Sequence, residues 1–238
     1  MFTLVVPFLF LCLQAYVVLF TEMGGLWVER NVRLILTHIL ELLSSSKATQ
    51  THVDAVYSRR CVSFVLRALL GKLLDESAQI EAAKELCNII TKQMNLVNDA
   101  IHANAESNGS GGLPSMDVIS TQHVLVCALQ ELGSLVKGLS TSSISLVSEN
   151  ILDHVFSVLL HPAPAAQLAA TWCLRCVTAA LPSQMSPMID RCADKIKLLH
   201  ASAEAVGGYA HAFAALVGGV HQCPLGIPNW KGKVSTIH

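Results

Sequence analysis

The feature that most constrains this chain is a succession of amphipathic helical segments separated by short turns. Apolar residues recur at spacings of three and four positions, as they do along one face of a helix. In the segment 26–43 this stripe consists of Val28, Val32, Ile35, Leu36, Ile39, Leu40 and Leu43. We find no convincing run with the alternating pattern of a half-buried strand. The sequence therefore predicts an all-α fold.

The predicted helices after Gly25 pair as antiparallel hairpins, because short turns place consecutive helices side by side. The pairs are 26–44 with 51–74, 76–102 with 117–139, 143–160 with 165–181, and 186–200 with 202–221. Thr51 and Asp54 have the spacing of a weak capping box at the start of the second helix. Pro162 and Pro164 end the helix before them, since proline cannot continue a helix interior.

The last two hairpins show similar apolar patterns when the chain is shifted by 39 residues. A period of about 40 residues with two helices per unit is typical of HEAT and armadillo repeats. Because one hairpin cannot bury its own apolar face, neighbouring hairpins must stack. We therefore expect an α-solenoid of about four HEAT/armadillo-like hairpins. The segment 155–177 fits this pattern best, and in it we expect Trp172 to face the core.

Composition and charge exclude two broad classes of protein. Apolar residues make up 52% of the chain and charged residues 14%, which is incompatible with a disordered protein. Sixteen Lys and Arg against 17 Asp and Glu give a net charge of −1. We therefore expect no nucleic-acid partner. Arg59 and Arg60 form a small basic spot, which we interpret as a solvated helix face or as a contact for a partner.

We predict no catalytic, cofactor-binding or metal-ligating residue. Cys173 and Cys176 form a CxxC in the middle of a helix, where both sulfurs lie on one face. We expect reduced thiols in the core rather than a redox pair or zinc ligands. The segment from Gly226 to Val234 is a poor match to a phosphate-binding loop, because its spacing is one residue too long and Val234 replaces the hydroxyl residue.

The N-terminal segment allows three interpretations. Residues 1–20 carry no charge, and a run of about 20 apolar residues is long enough to cross a membrane. The alternatives are a signal peptide, which would here lack its basic residues, and a buried helix of a larger array. We predict an apolar helix at 1–21, a repeat array at 22–223 with a mobile loop at 104–116, and an irregular tail at 224–238.

Several stretches together resemble the HEAT repeat-containing protein 5 family, nearer its 5B branch. They are residues 27–43, 48–71, 122–136, 168–177, 180–195 and 218–228. The resemblance runs from Ala15 to the C-terminus and includes non-periodic stretches. The segment from Met1 to Leu13 departs from the family, and the chain ends at His238 where family members continue. We therefore expect a piece of a longer array.

The resemblance implies a non-enzymatic cytoplasmic scaffold. Family members act in vesicle-mediated transport and protein localisation, including endocytosis and retrograde transport from endosomes to the trans-Golgi network. The implied partners are the clathrin-adaptor accessory proteins aftiphilin and gamma-synergin, and membrane contact would be indirect. The alternative function is a membrane-anchored helical interaction protein that uses residues 1–20 as a transmembrane segment.

Overall fold

The computed structural model describes the backbone of residues 5–45, 48–106, 116–139, 142, 151–199 and 203–220. Side chains are described in the same ranges except at 5–12, 103–106, 116–117 and 203–204. Throughout these ranges the secondary structure is helical and contains no strand, which confirms the predicted all-α class.

Nine helices occupy the described residues. They are α1 (Val5–Met23), α2 (Gly25–Glu41), α3 (His52–Lys72), α4 (Glu76–Glu106), α5 (Met116–Leu139), α6 (Ile151–Ser157), α7 (Pro164–Ala180), α8 (Met185–Leu198) and α9 (Ala203–Gly219). Short 3-10 turns follow α2, α6 and α7 at Leu42–Ser44, Val158–Leu160 and Pro182–Gln184. The helix boundaries predicted from apolar spacing are confirmed to within a few residues wherever the chain is described.

Several predicted segments fall wholly or partly outside the described residues. The start of the helix predicted at 143–160 and the tail predicted at 224–238 are among them. The loop predicted at 104–116 is shorter at both ends, because α4 continues to Glu106 and α5 begins at Met116. Its remaining part, 107–115, lies outside the described residues.

The chain divides into two compact units, Met1–Leu135 and Val136–His238. The division falls near the end of α5, within the region that the sequence predicts to be one array. The predicted boundaries at residues 21 and 223 remain predictions.

In the first unit, helices pack against the helix two places further along the chain. α1 packs against α3, and α2 packs against α4. α5 reaches α3 where the Cys127 thiol donates a hydrogen bond to the Arg59 carbonyl, with an Sγ–O distance of 3.8 Å. The core between these helices contains the fully buried side chains of Leu36, Leu66, Leu86, Ile90 and Leu129. Burial of each such side chain contributes about 2 kcal/mol of stability.

The N-terminal helix is part of this packing. Gly24 links α1 to α2 with a φ of +77°, a left-handed conformation that glycine adopts without strain. The Tyr16 hydroxyl lies 2.6 Å from His38 Nε2 and so joins α1 to α2. Leu13 and Phe20 are buried. Leu13 and Phe20 therefore contribute to the core of the first unit, whereas most of the other described side chains of α1 are exposed.

In the part of the chain whose side chains are described, we find no helix that is long and apolar enough to span a bilayer. The transmembrane segment considered as an alternative at residues 1–20 depends mainly on residues 1–12. Those side chains lie outside the described part.

The second unit is organised around the turn between α6 and α7. The His161 ring is fully buried, and its Nδ1 accepts a hydrogen bond from the Ala163 N–H at 2.9 Å. Gln167 Nε2 donates to the His161 carbonyl at 2.9 Å. The turn predicted from Pro162 and Pro164 is thus present, and these buried polar groups are satisfied, as a stable core requires.

α9 packs closely against α7 and against this turn. A Cβ atom on Gly208 would overlap the carbonyl oxygen of Leu159, so only glycine permits the approach. The rings of Phe156 and Tyr209 stack with centroids 6.1 Å apart. The Arg191 guanidinium covers Phe156 at 4.1 Å from the ring centroid. These contacts connect α6, α8 and α9.

The prediction that Trp172 faces the core is wrong, because its side chain is 40% exposed. The exposed positions of α7 follow one narrow stripe, which consists of Pro164, Leu168, Trp172, Arg175 and Ala179. The inward positions carry small side chains such as Ala169, Ala170 and Cys173 together with Leu174 and Val177, all of them buried. Position 172 lies on the stripe that faces away from these residues, so the indole ring remains partly in solvent.

Substitutions at two adjacent glycines of α9 test this close packing. Gly208→Ala should destabilise the protein by about 1–3 kcal/mol, because the new methyl group collides with the backbone at Leu159. Gly207→Ala is the matched control, since a Cβ there meets open space. It should be neutral or stabilising by about 0.5–1 kcal/mol, since alanine favours helix. Chemical denaturation measures both, and equal midpoints would contradict the packing.

A second prediction concerns acid stability. Burial lowers the pKa of His161 from 6.5 to about 4. The unfolded chain therefore binds a proton below about pH 6.5 while the folded protein does not, and stability falls as the pH drops towards about 4. His161→Asn keeps an acceptor for the Ala163 N–H but cannot be protonated. We expect its stability loss between about pH 7 and about pH 4 to be smaller by about 3 kcal/mol.

The measurement is the unfolding free energy of both proteins at several pH values. His102→Asn, at an exposed position of α4, serves as the control. If the pH profiles of His161→Asn and the unmodified protein run parallel, the buried neutral state of His161 is refuted.

Candidate functional site

A groove of about 600 Å³ lies between α3 and α5 in the first unit. Its polar lining consists of Arg59, Arg60, Ser63, Arg67, Lys72 and Gln130. Its apolar lining consists of Val56, Phe64, Ala68 and Val126. The groove thus combines four cationic side chains with apolar surface, which is a combination suited to binding another molecule.

A side-chain cap fixes where α3 begins, and the spacing of its residues places the groove lining on one face. Thr51 Oγ1 accepts a hydrogen bond from the Asp54 N–H at 3.1 Å, so Thr51 is the N-cap that the sequence predicts. Three and four residues separate Val56, Arg60, Phe64 and Arg67 along α3, so they share one face of the helix. The opposite face carries the core residues Val62, Val65, Leu66 and Leu69, all buried.

The cations of the groove differ in exposure and in pairing. Arg60, Arg67 and Lys72 are exposed, and Arg59 is half-buried. Arg67 Nε lies 3.4 Å from Glu131 Oε1 on α5. Within the described residues, Arg59, Arg60 and Lys72 form no ion pair. Three positive charges of the groove are therefore available to a ligand.

Glu131 lies buried behind Arg67, with 2% of its side chain exposed. Burial raises the pKa of Glu131, and Ser63 and Arg67 offset part of that rise. Among the described residues, no donor hydrogen-bonds its Oε1 atom. Because Arg67 is largely solvated, its pair with Glu131 recovers only part of the cost of burying the carboxylate.

Two further buried groups of α5 lie close to α3. Burial raises the pKa of the Cys127 thiol to about 12, so it stays protonated and packs as an apolar group. Burial and the nearby Arg59 lower the pKa of His123 to about 4. His123 Nδ1 has no hydrogen-bond partner among the described residues. Both groups are neutral at pH 7, so the groove keeps its positive charge.

The basic spot predicted at Arg59 and Arg60 lies in this groove. The sequence analysis missed Phe64, Arg67 and Lys72. The signal that could have found them is the charge of α3, which carries four cations after its single acidic residue near the N-terminus. Nothing in the local sequence indicates that α5 forms the opposite wall.

Cys173 and Cys176 are buried in the second unit, as predicted. Burial raises the pKa of the Cys176 thiol, and both cysteines are unbridged. In the part of the chain with described side chains, no group of three or more His, Cys, Asp or Glu is arranged to hold a metal ion. Their metal-free state in solution remains a prediction, and the segment from Gly226 to Val234 lies outside the described residues.

Comparison with known proteins assigns no family to the chain. No family profile matches it, and no solved structure matches it. The function is therefore inferred from the groove, from the helix packing and from the sequence resemblance.

The burial of Glu131 leads to a prediction about how this residue affects the stability of the protein. When folding raises the pKa of a carboxyl, the folded protein loses stability as the pH rises from the pKa of the unfolded chain to that of the folded protein. Glu131→Gln removes the buried charge and keeps the shape, so we expect a gain of about 1 kcal/mol at pH 7. The gain should shrink as the pH approaches about 4.

Thermal and chemical unfolding at both pH values measure this effect. Glu81→Gln is the control, because that carboxylate is exposed, and it should change stability by less than about 0.5 kcal/mol. A loss of stability in Glu131→Gln at pH 7 would show that the pair with Arg67 outweighs the cost of burial.

Proposed function

We propose that the protein is a non-enzymatic scaffold, an α-solenoid of HEAT/armadillo-like hairpins that binds other proteins in the groove between α3 and α5. The observation that carries this proposal is the groove itself. It presents unpaired cations and an exposed aromatic side chain on helices whose opposite faces form the core. Surfaces that are enriched in Arg and aromatic residues are typical of protein interfaces.

The packing of the helices supports the repeat interpretation. In a stack of hairpins, first helices contact first helices and second helices contact second helices. The first unit has this alternation in the pairs α1–α3 and α2–α4. The second unit has it in α7–α9, and in the ion pair between Arg191 of α8 and Asp153 of α6 at 2.6 Å.

The resemblance to the HEAT repeat-containing protein 5 family supplies the cellular setting. Both walls of the groove fall within stretches that resemble the family, since 48–71 covers most of α3 and 122–136 covers most of α5. We extend the proposal to vesicle traffic between endosomes and the trans-Golgi network. In this setting the protein is cytoplasmic, contacts membranes indirectly, and has partners of the aftiphilin and gamma-synergin type.

A membrane anchor at residues 1–20 is the alternative function. The burial of Leu13 and Phe20 favours the array, because buried side chains are not free to contact lipid. Cell fractionation separates the two functions. An anchored protein would move from the membrane to the soluble fraction when residues 1–20 are deleted.

Affinity purification of the tagged full chain, followed by quantitative mass spectrometry, tests the proposed function. We expect aftiphilin, gamma-synergin or adaptor subunits to be enriched over a control bait, namely an unrelated helical-repeat protein with the same tag. The enrichment should persist in detergent, since the contact is with protein. Absence of every adaptor-linked protein from the enriched set would contradict the trafficking role.

A further inference from the structure

We propose that the groove between α3 and α5 binds an extended acidic segment of a partner protein, with an apolar side chain of that segment against Phe64. This inference rests on the proposed scaffold function and specifies the chemistry of the partner. The groove lies wholly within the first unit, and its ligand-facing residues are those of α3 and α5 named above.

The charged residues of the groove determine the sign of the ligand's charge. α3 presents Arg59, Arg60, Arg67 and Lys72 to the groove, and the buried Glu131 offsets only the charge beside it. The chain as a whole has a net charge of −1, so this positive surface is local. Cations along a cleft with low-dielectric walls focus their field inside it. An acidic ligand is therefore attracted to the groove rather than to the protein in general.

The exposed ring of Phe64 indicates that the ligand also carries an apolar side chain. Its ring is 65% exposed and lies between Arg60 and Arg67, each about one helical turn away. Val56 and Ala68 extend the apolar surface along the same face. A ligand that covers this surface gains hydrophobic free energy in proportion to the area removed from water. The best ligand therefore alternates acidic residues with at least one aliphatic or aromatic residue.

The length of the groove sets the length of the segment. The cations extend from Arg59 to Lys72, which corresponds to about 20 Å along a helix at 1.5 Å per residue. An extended peptide covers that distance with about six residues, at about 3.3 Å each. A segment of six to eight residues, roughly, can therefore reach every cation at once.

The shape of the site favours a peptide over the other anionic ligands. A bilayer surface is nearly flat, whereas Arg59 and Ser63 are half-buried within the groove and accessible to a narrow chain. Single-stranded nucleic acids are bound by stacking successive bases on several aromatic side chains. Phe64 is the one aromatic residue in the lining of this groove.

Fluorescence anisotropy on the full chain tests the inference. The probe is a labelled peptide of about eight residues, which alternates glutamate with leucine and has one central phenylalanine. The control peptide has glutamine in place of every glutamate. We expect the acidic peptide to bind about tenfold more tightly. Binding should weaken when the salt concentration rises from about 0.15 M to about 0.5 M, because screening shortens the range of the charges.

Paired variants locate the binding site. Arg60→Glu with Lys72→Glu reverses two groove charges and should weaken binding of the acidic peptide about tenfold. Arg30→Glu with Lys195→Glu makes the same change in net charge at exposed positions outside the groove and should change binding less than about twofold. The groove variant should instead bind a peptide with lysine in place of glutamate. That gain cannot arise from misfolding.

A second pair tests the apolar contact. Phe64→Ala should weaken binding about fivefold. Leu34→Ala, which removes an exposed apolar side chain from α2, should leave binding unchanged. Equal effects of the two substitutions would remove Phe64 from the site.

Three results would overturn the inference. The first is equal binding of the acidic and glutamine peptides, and the second is equal binding by the two charge-reversal variants. The third is a protein that binds phosphatidylserine vesicles but no peptide, and whose groove variant no longer binds the vesicles. That result would assign the groove to membranes.

These results are separable from failure of the proposed function. If the acidic peptide fails to bind in the groove but the unmodified chain still purifies the adaptor-linked proteins, the inference fails while the scaffold and trafficking roles stand on another surface of the chain. If the peptide binds in the groove but no adaptor-linked protein is purified, the groove inference stands and the trafficking role fails.

Discussion

The structure depends on the burial of one apolar stripe per helix. In the first unit α1 packs against α3 and α2 packs against α4, and leucines of these helices such as Leu66 and Leu86 are fully buried. Burial of each side chain contributes about 2 kcal/mol, which offsets the conformational entropy lost on folding. On α3 the face opposite the core carries the charged and aromatic residues of the groove.

Close approach of backbones decides the packing of the second unit. Gly208 lies against the Leu159 carbonyl, and small inward residues such as Ala170 and Cys173 let α7 approach its neighbours. Trp172 lies on the exposed stripe of the same helix, opposite these buried residues. The aromatic residues that do enter the core, Phe156 and Tyr209, stack where Arg191 covers them.

Buried polar groups divide into those that stabilise the fold and those that do not. His161 accepts a hydrogen bond through its ring, and Gln167 bonds its carbonyl, so this turn holds polar groups in the core without an unsatisfied partner. Glu131 is compensated only in part, by Ser63 and Arg67. Burial of Glu131 next to Arg67 costs stability. Because Glu131 pairs with Arg67, the other three cations of the groove keep their charge. That cost of burial lies in the wall of the candidate binding site.

What the sequence by itself determined is the local structure. The apolar spacing predicted the helices, Thr51 predicted the start of α3, and Pro162 and Pro164 predicted the turn before α7. Each of these depends on hydrogen bonds and steric contacts within a few residues of the chain. The orientation of Trp172 and the pairing of α3 with α5 were decided by the tertiary structure. On α7, where apolar residues occur on more than one face, the face that becomes buried depends on side chains of helices far away in sequence, and the local pattern does not contain that information.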